Sequence, residues 1–178
     1  MSLSLLAEKI NKCKACPLWK ARINAVPGEG PSKAKIMIIG EAPGRKEDEQ
    51  GRPFVGLAGK RLNKLLEKNR IDRKNVFITN VVKCRPPENR VPTEAESKIC
   101  IKLYLNKQIN LIKPKLIILL GETASNNFLP FKFKDVRGKF IKQDNFIFFP
   151  VYHPSAARFT GIRKKLEEDF AKLGATKI

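Results

Sequence analysis

The sequence predicts an α/β protein in three layers, α/β/α, with four parallel strands in the central sheet. Four short runs are apolar almost throughout, as strands buried on both faces of a sheet are. Helical patterns fall between them, and that alternation places helices on both sides of parallel strands. The length of 178 residues suits one domain, expected to span residues 1–178.

Residues 3–12 make a short opening helix. The first strand is the run KIMII, Lys35–Ile39. From Leu57 to Arg70 the spacing of Leu57, Leu62, Leu65 and Leu66 puts them near one helical face. The second strand lies in NVFITNVV, Asn75–Val82. Thr93 and Glu96 have capping-box spacing and open a helix that runs toward Lys113 and stops before Pro114. KLIILL, Lys115–Leu120, is the third strand. A short helix separates it from the fourth, in NFIFFPV, Asn145–Val151. A last helix is expected from Ala156 to Leu173, ended by Gly174. Each strand is followed by an unusual segment: Gly40-Glu-Ala-Pro-Gly44, Asn80, Gly121-Glu-Thr and His153-Pro-Ser. Ligands of open parallel sheets bind at the carboxyl ends of the strands, so these four segments should meet in one cleft.

Lys and Arg number 36 against 17 Asp and Glu, a net charge of +19 shared almost equally by the two halves of the chain. A compact domain this positive repels itself, and an anionic partner, nucleic acid first, is the simplest reason for it. A lysine-rich background composition would account for part of the excess. Hydrophobic residues at 42%, with 11 Phe, exclude a disordered chain. Leu116–Leu120, the longest obvious apolar run, is far short of the roughly 18 residues a membrane span needs. The opening residues lack a basic stretch followed by a long apolar one, which predicts no signal peptide, a cytoplasmic location and no disulfides.

The four cysteines therefore need another use. Cys13 and Cys16 form a C-x2-C pair, with Cys84 and Cys100 far downstream. Four thiolates suit a tetrahedral zinc or a cubane iron–sulfur cluster, and spacing does not choose between them. Cys16-Pro17 leans toward iron–sulfur. The plain alternative is four separate buried cysteines acting as small hydrophobes. A centre joining them would first of all clamp the N-terminal segment and a long loop onto the sheet.

Read together, GEAPGRKEDEQGRPFVGLAG (Gly40–Gly59), TNVVKCRPPENRVPT (Thr79–Thr93), HPSAA (His153–Ala157) and the four cysteines resemble a family 4 uracil-DNA glycosylase. That family consists of thermostable iron–sulfur enzymes. The resemblance implies a 4Fe–4S cluster on Cys13, Cys16, Cys84 and Cys100, and a monomer that removes uracil from DNA to begin base excision repair. Its partners are uracil-containing DNA and the free uracil released. By the same resemblance His153, the chain's one histidine, hydrogen-bonds uracil O2; Asn80 reads N3–H and O4; and Phe54 stacks on the extruded base. Backbone groups of Gly40, Glu41 and Ala42 would contact uracil. Family 1 enzymes carry an aspartate and a tyrosine where Ala42 and Gly44 stand here. Glu41 and Glu47 are then the carboxylates left to orient water or stabilise a cationic sugar. Arg158 and Phe159 would enter the DNA where the base has left. On their residue types alone, His153 could simply cap a helix, Asn80 terminate a strand, and Glu47-Asp48-Glu49 form a solvated turn. The competing function is a nucleic-acid-binding module carrying zinc or a cluster and no catalysis.

Overall fold

A computed structural model describes residues 1–176. Helix α1 (Leu3–Asn11) is capped by the Ser2 hydroxyl and buries Leu6 and Ile10. Strand β1 (Ile36–Gly40) leads into α2 (Arg45–Gln50) and α3 (Leu57–Lys68), and β2 (Val76–Asn80) follows. Next come α4 (Glu94–Cys100) and α5 (Asn106–Ile112), then β3 (Leu116–Leu120), α6 (Glu122–Asn126) and α7 (Phe133–Val136). The chain continues through β4 (Ile141–Gln143) and β5 (Phe146–Val151) to α8 (Thr160–Ala175).

The sheet order is β2-β1-β3-β5-β4. The four expected strands are present and mutually parallel. The fifth, β4, was not expected; it pairs antiparallel with β5 at the sheet edge. Its three residues are half-buried or exposed, so they leave no apolar run to read. Alternate side chains supply opposite cores. Met37, Ile39, Ile117 and Leu119 pack with Ile109 and Ile112 of α5 on one face. Ile38, Ile78, Ile118 and Phe149 pack with Leu62 and Leu66 of α3 and Leu166 and Phe170 of α8 on the other. Among the described residues no helix is long and apolar enough to cross a membrane.

The capping box forms as spaced: the Glu96 amide donates to Thr93 Oγ1 at 3.2 Å, and the Thr93 amide to Glu96 Oε2 at 2.8 Å. The helix it opens is not uniform. A π-helical turn, Ile101–Leu105, separates α4 from α5 directly after Cys100. The last helix also departs from expectation. Pro154–Arg158 is a 3-10 turn, α8 begins only at Thr160, and it runs past Gly174 to Ala175. Gly174 is a packing glycine and not a stop: a Cβ there would lie 3.1 Å from the Asn69 carbonyl oxygen at the end of α3.

Candidate active site

The carboxyl ends of the parallel strands gather the unusual segments on one side of the sheet. Gly40 and Asn80 are register partners at the ends of β1 and β2. A methyl group on Gly40 would collide with Asn80 Oδ1 and stand 2.6 Å from Phe54 Cζ. Phe54 in turn lies beside His153, ring centroids 5.9 Å apart and planes inclined at 38°. Gly121, at the end of β3, has φ 91°, and a Cβ there would come within 3.1 Å of His153 Cβ. Glycine at the two strand ends thus lets the side chains of Phe54, Asn80 and His153, from distant parts of the chain, share one slot.

Asn80 is 1% exposed, and its Oδ1 is a buried acceptor with no hydrogen-bond partner among the described residues. Leaving such a group unpaired costs about 1–3 kcal/mol, so it is a ready acceptor for a donor brought by a ligand. His153 caps the 3-10 turn that follows it. Its Nδ1 accepts from the Ser155 amide at 3.2 Å and lies 2.7 Å from the Ser155 hydroxyl. A nitrogen that accepts an N–H carries no proton, so the hydrogen of the neutral ring sits on Nε2. Burial holds the imidazole down to about 4, against the opposing pull of the Glu47 charge. Capping a turn and donating from Nε2 are therefore compatible uses of one ring.

Phe54 adopts φ 53°, a left-handed conformation costing an aromatic residue about 1–3 kcal/mol. Its surroundings hold it there. Arg73 donates to the Pro53 carbonyl at 2.8 Å and to the Asn63 side chain at 2.6 Å, with Phe54 O at 3.4 Å. Glu47 Oε1 accepts from the amides of Val55 and Gly56, both at 2.8 Å. A side chain on Gly59 would run into the Phe54 carbonyl. The acidic run is not a solvated turn. It lies in α2, and each member has its own bond: Glu47 holds the Phe54 loop, Asp48 is buried and accepts from the Ile23 and Asn24 amides, and Glu49 pairs with Arg45 and Lys46 on the surface. A Cβ on Gly44 would approach Glu47 Oε2 to 2.8 Å, so the absence of a side chain at 44 makes room for this carboxylate. Glu41 accepts from the Thr123 hydroxyl at 2.5 Å, linking the end of β1 to α6. Ala42 is half-buried against the core.

Arg158 and Phe159 close the 3-10 turn that His153 caps, the guanidinium 4.8 Å above the ring. Phe159 is 54% exposed.

Cys13, Cys16, Cys84 and Cys100 line one cavity, together with Tyr104 and Lys83. The Ala15 amide lies 3.4 Å from Cys13 Sγ and Arg22 Nη1 lies 3.0 Å from Cys84 Sγ. Four sulfurs around one cavity, two of them with N–H donors aimed at them, fit a four-thiolate group. Among the described residues no three His, Cys, Asp or Glu side chains stand close enough to hold a single metal ion. Without such a group, burial pushes the Cys100 thiol up to about 11 and raises Cys84 and Cys16. Lys83 is fully buried, donating to Thr79 Oγ1 at 2.5 Å and the Asn80 carbonyl at 2.7 Å. Desolvation draws its ammonium down to about 7, opposed by Cys100 and Cys84.

Sequence reasoning missed the residues that act through others. Thr123, Arg73, Lys83 and Arg61 brace Glu41, Phe54, Asn80 and the His153 turn; Arg61 Nη1 reaches the carbonyls of Pro154 and Ser155 at 3.3 and 3.1 Å. A lone Thr, Lys or Arg carries no signal of its own: Thr123 lay in Gly121-Glu-Thr and Lys83 in the Thr79–Thr93 motif, but no role followed for either, and Arg61 and Arg73 lay in no motif singled out.

Residues 27–173 match a family model described as the uracil DNA glycosylase superfamily. A type-4 uracil-DNA glycosylase of Saccharolobus solfataricus is 50% identical, the alignment covering 97% of this chain and 85% of that protein. Enzymes of the same name from Sulfurisphaera tokodaii and Pyrobaculum aerophilum are 48% and 45% identical. They are covered over 83% and 92% of their own lengths, and over 97% and 96% of this chain.

Proposed function

The chain belongs to the uracil DNA glycosylase superfamily, and from that premise we propose that it excises uracil from DNA by hydrolysing the bond between uracil N1 and deoxyribose C1′. The observation that carries this reading is the unpaired, buried Oδ1 of Asn80, set against the Phe54 ring and one ring away from His153.

The target bond is inaccessible inside a duplex, so the nucleotide is extruded into the slot. Phe54 stacks on the base, a contact worth about 1–3 kcal/mol. Asn80 Oδ1 accepts from uracil N3–H while its amide nitrogen donates to O4. Cytosine presents the reverse pattern on both atoms, so an Asn fixed by its surroundings rejects it. As the bond breaks, the base leaves as an anion. His153 donates from Nε2–H toward O2, where that charge gathers, and a preorganised donor of this kind is worth about 3–4 kcal/mol. Because the Nδ1 cap fixes the tautomer beforehand, no reorganisation is needed during the step. The sugar becomes cation-like, and Glu41 and Glu47 are the carboxylates that orient water and balance its charge. Glu47 already uses one oxygen on the Phe54 loop and keeps the other beside Gly44.

Cys13, Cys16, Cys84 and Cys100 would hold a 4Fe–4S cluster whose contribution is to tie three distant segments together. The shared cavity and the type-4 name of the relatives support it. Arg158 and Phe159 fill the gap left by the base. Incubation with a uracil-containing oligonucleotide followed by alkali should break the strand at the uracil. Intact DNA overturns the proposal. Iron and sulfide in the purified protein are expected, and a colourless zinc protein would overturn the cluster assignment.

A further inference from the structure

We propose that the cleft between α3 and α8 is a phosphate track for the DNA strand beside the extruded nucleotide. This rests on the glycosylase reading above.

The cleft has a volume of about 560 Å3 and is lined by Arg61, Lys64, Lys68, Arg158 and Arg163, with Glu167 its one acid. Arg61, Lys64 and Lys68 recur at helical spacing, so α3 presents them on one face. Lys68 and Glu167 pair at 3.4 Å across the cleft, both well exposed, which locally cancels one charge and leaves four cations. From residue 61 to 68 the helix rises about 10 Å, the advance of about three nucleotides along one strand of a duplex. A row of separated positive charges of that length suits a polyanion with repeating phosphates better than one small anion.

The position of the cleft ties it to the chemistry. Arg61 lines its wall and donates to the carbonyls of Pro154 and Ser155, in the turn that His153 caps. Arg158, at the end of that turn, lines the cleft and lies over exposed Phe159. A strand entering the slot at His153 therefore continues over these cations. None of them lies in the motifs that carry uracil recognition, and nothing in their spacing along the chain joins residues 61–68 to 158–163; only the fold does.

The test compares binding of a duplex carrying a single uracil as a function of salt. The variants are Lys64→Ala combined with Arg163→Ala, both exposed side chains, and a charge-matched control, Lys33→Ala with Lys35→Ala, before the first residue of β1 at the other end of the strands. Each lost phosphate contact reduces the slope of log affinity against log salt by about 0.9. The cleft variant should lose about 1.8 from the slope, so its affinity loss between 50 and 200 mM salt is about twelvefold smaller than wild type's. The control should keep the wild-type slope. An unchanged slope in the cleft variant, or an equal loss in the control, overturns the track. Uracil release by wild type on the same duplex separates the two claims: no release defeats the glycosylase reading, and release with an unchanged slope in the cleft variant defeats the track alone.

Discussion

At the scale of single residues, the proposed chemistry rests on groups whose hydrogen bonds are half spent. His153 spends Nδ1 on Ser155 and keeps Nε2–H; Asn80 keeps a buried acceptor open. Because the chain has one histidine, its ring signals in nitrogen-15 NMR are unambiguous. They should report the Nε2–H tautomer and a titration near 4 in place of the usual 6.5. The linked sign follows. With its folded value depressed, the neutral ring's contribution to stability is complete above about 6.5 and is lost as the pH falls toward 4. A midpoint near 6.5 would show that the ring is not held by burial. Replacing His153 by Ala should slow single-turnover base release by roughly 10²–10³, the cost of one lost donor at a developing oxyanion. Asn80→Ala should also be strongly slowed, with circular dichroism unchanged in both. Wild-type rates in the two variants would remove both roles. The sequence marked both residues through their motifs, yet their polar economy was not legible there: which histidine nitrogen is occupied depends on the turn geometry at Ser155.

At the scale of elements, the strained Phe54 turn is held against α3 by Gly59, Arg73 and Glu47. Gly59→Ala pushes a methyl group into the Phe54 carbonyl and should cost about 1–3 kcal/mol, seen as a lower thermal midpoint, together with slower uracil release. Unaltered melting and release would show that the turn does not depend on this contact. The strands were readable because burial on both faces makes each an unbroken apolar run. Strand β4 was not, since Ile141, Lys142 and Gln143 sit half-exposed at an edge. The end of α8 was misread because Gly174 serves the approach of Asn69, and a glycine's packing partner is invisible in sequence. The π-helical turn after Cys100 likewise has no local signature.

At the scale of the whole molecule, a four-cysteine cavity joins the segment after α1, the loop after β2 and the end of α4. Cys84→Ser should therefore lower stability more than it alters chemistry. Denaturant unfolding together with the single-turnover rate checks this, and a variant that folds normally yet loses activity contradicts it. That loops separated by up to 113 residues would meet at the strand ends was legible from topology alone, because parallel strands carry their following loops to one side. The bracing by Arg61, Arg73 and Thr123 was not, since it depends on which side chains the fold brings together. The central claim is that Phe54, Asn80 and His153 grip one extruded pyrimidine. A crystal structure with free uracil tests it most directly. The ring should lie on Phe54, with N3 about 2.9 Å from Asn80 Oδ1 and O2 at the same distance from His153 Nε2. Uracil bound elsewhere, or touching only one of the three, would contradict it.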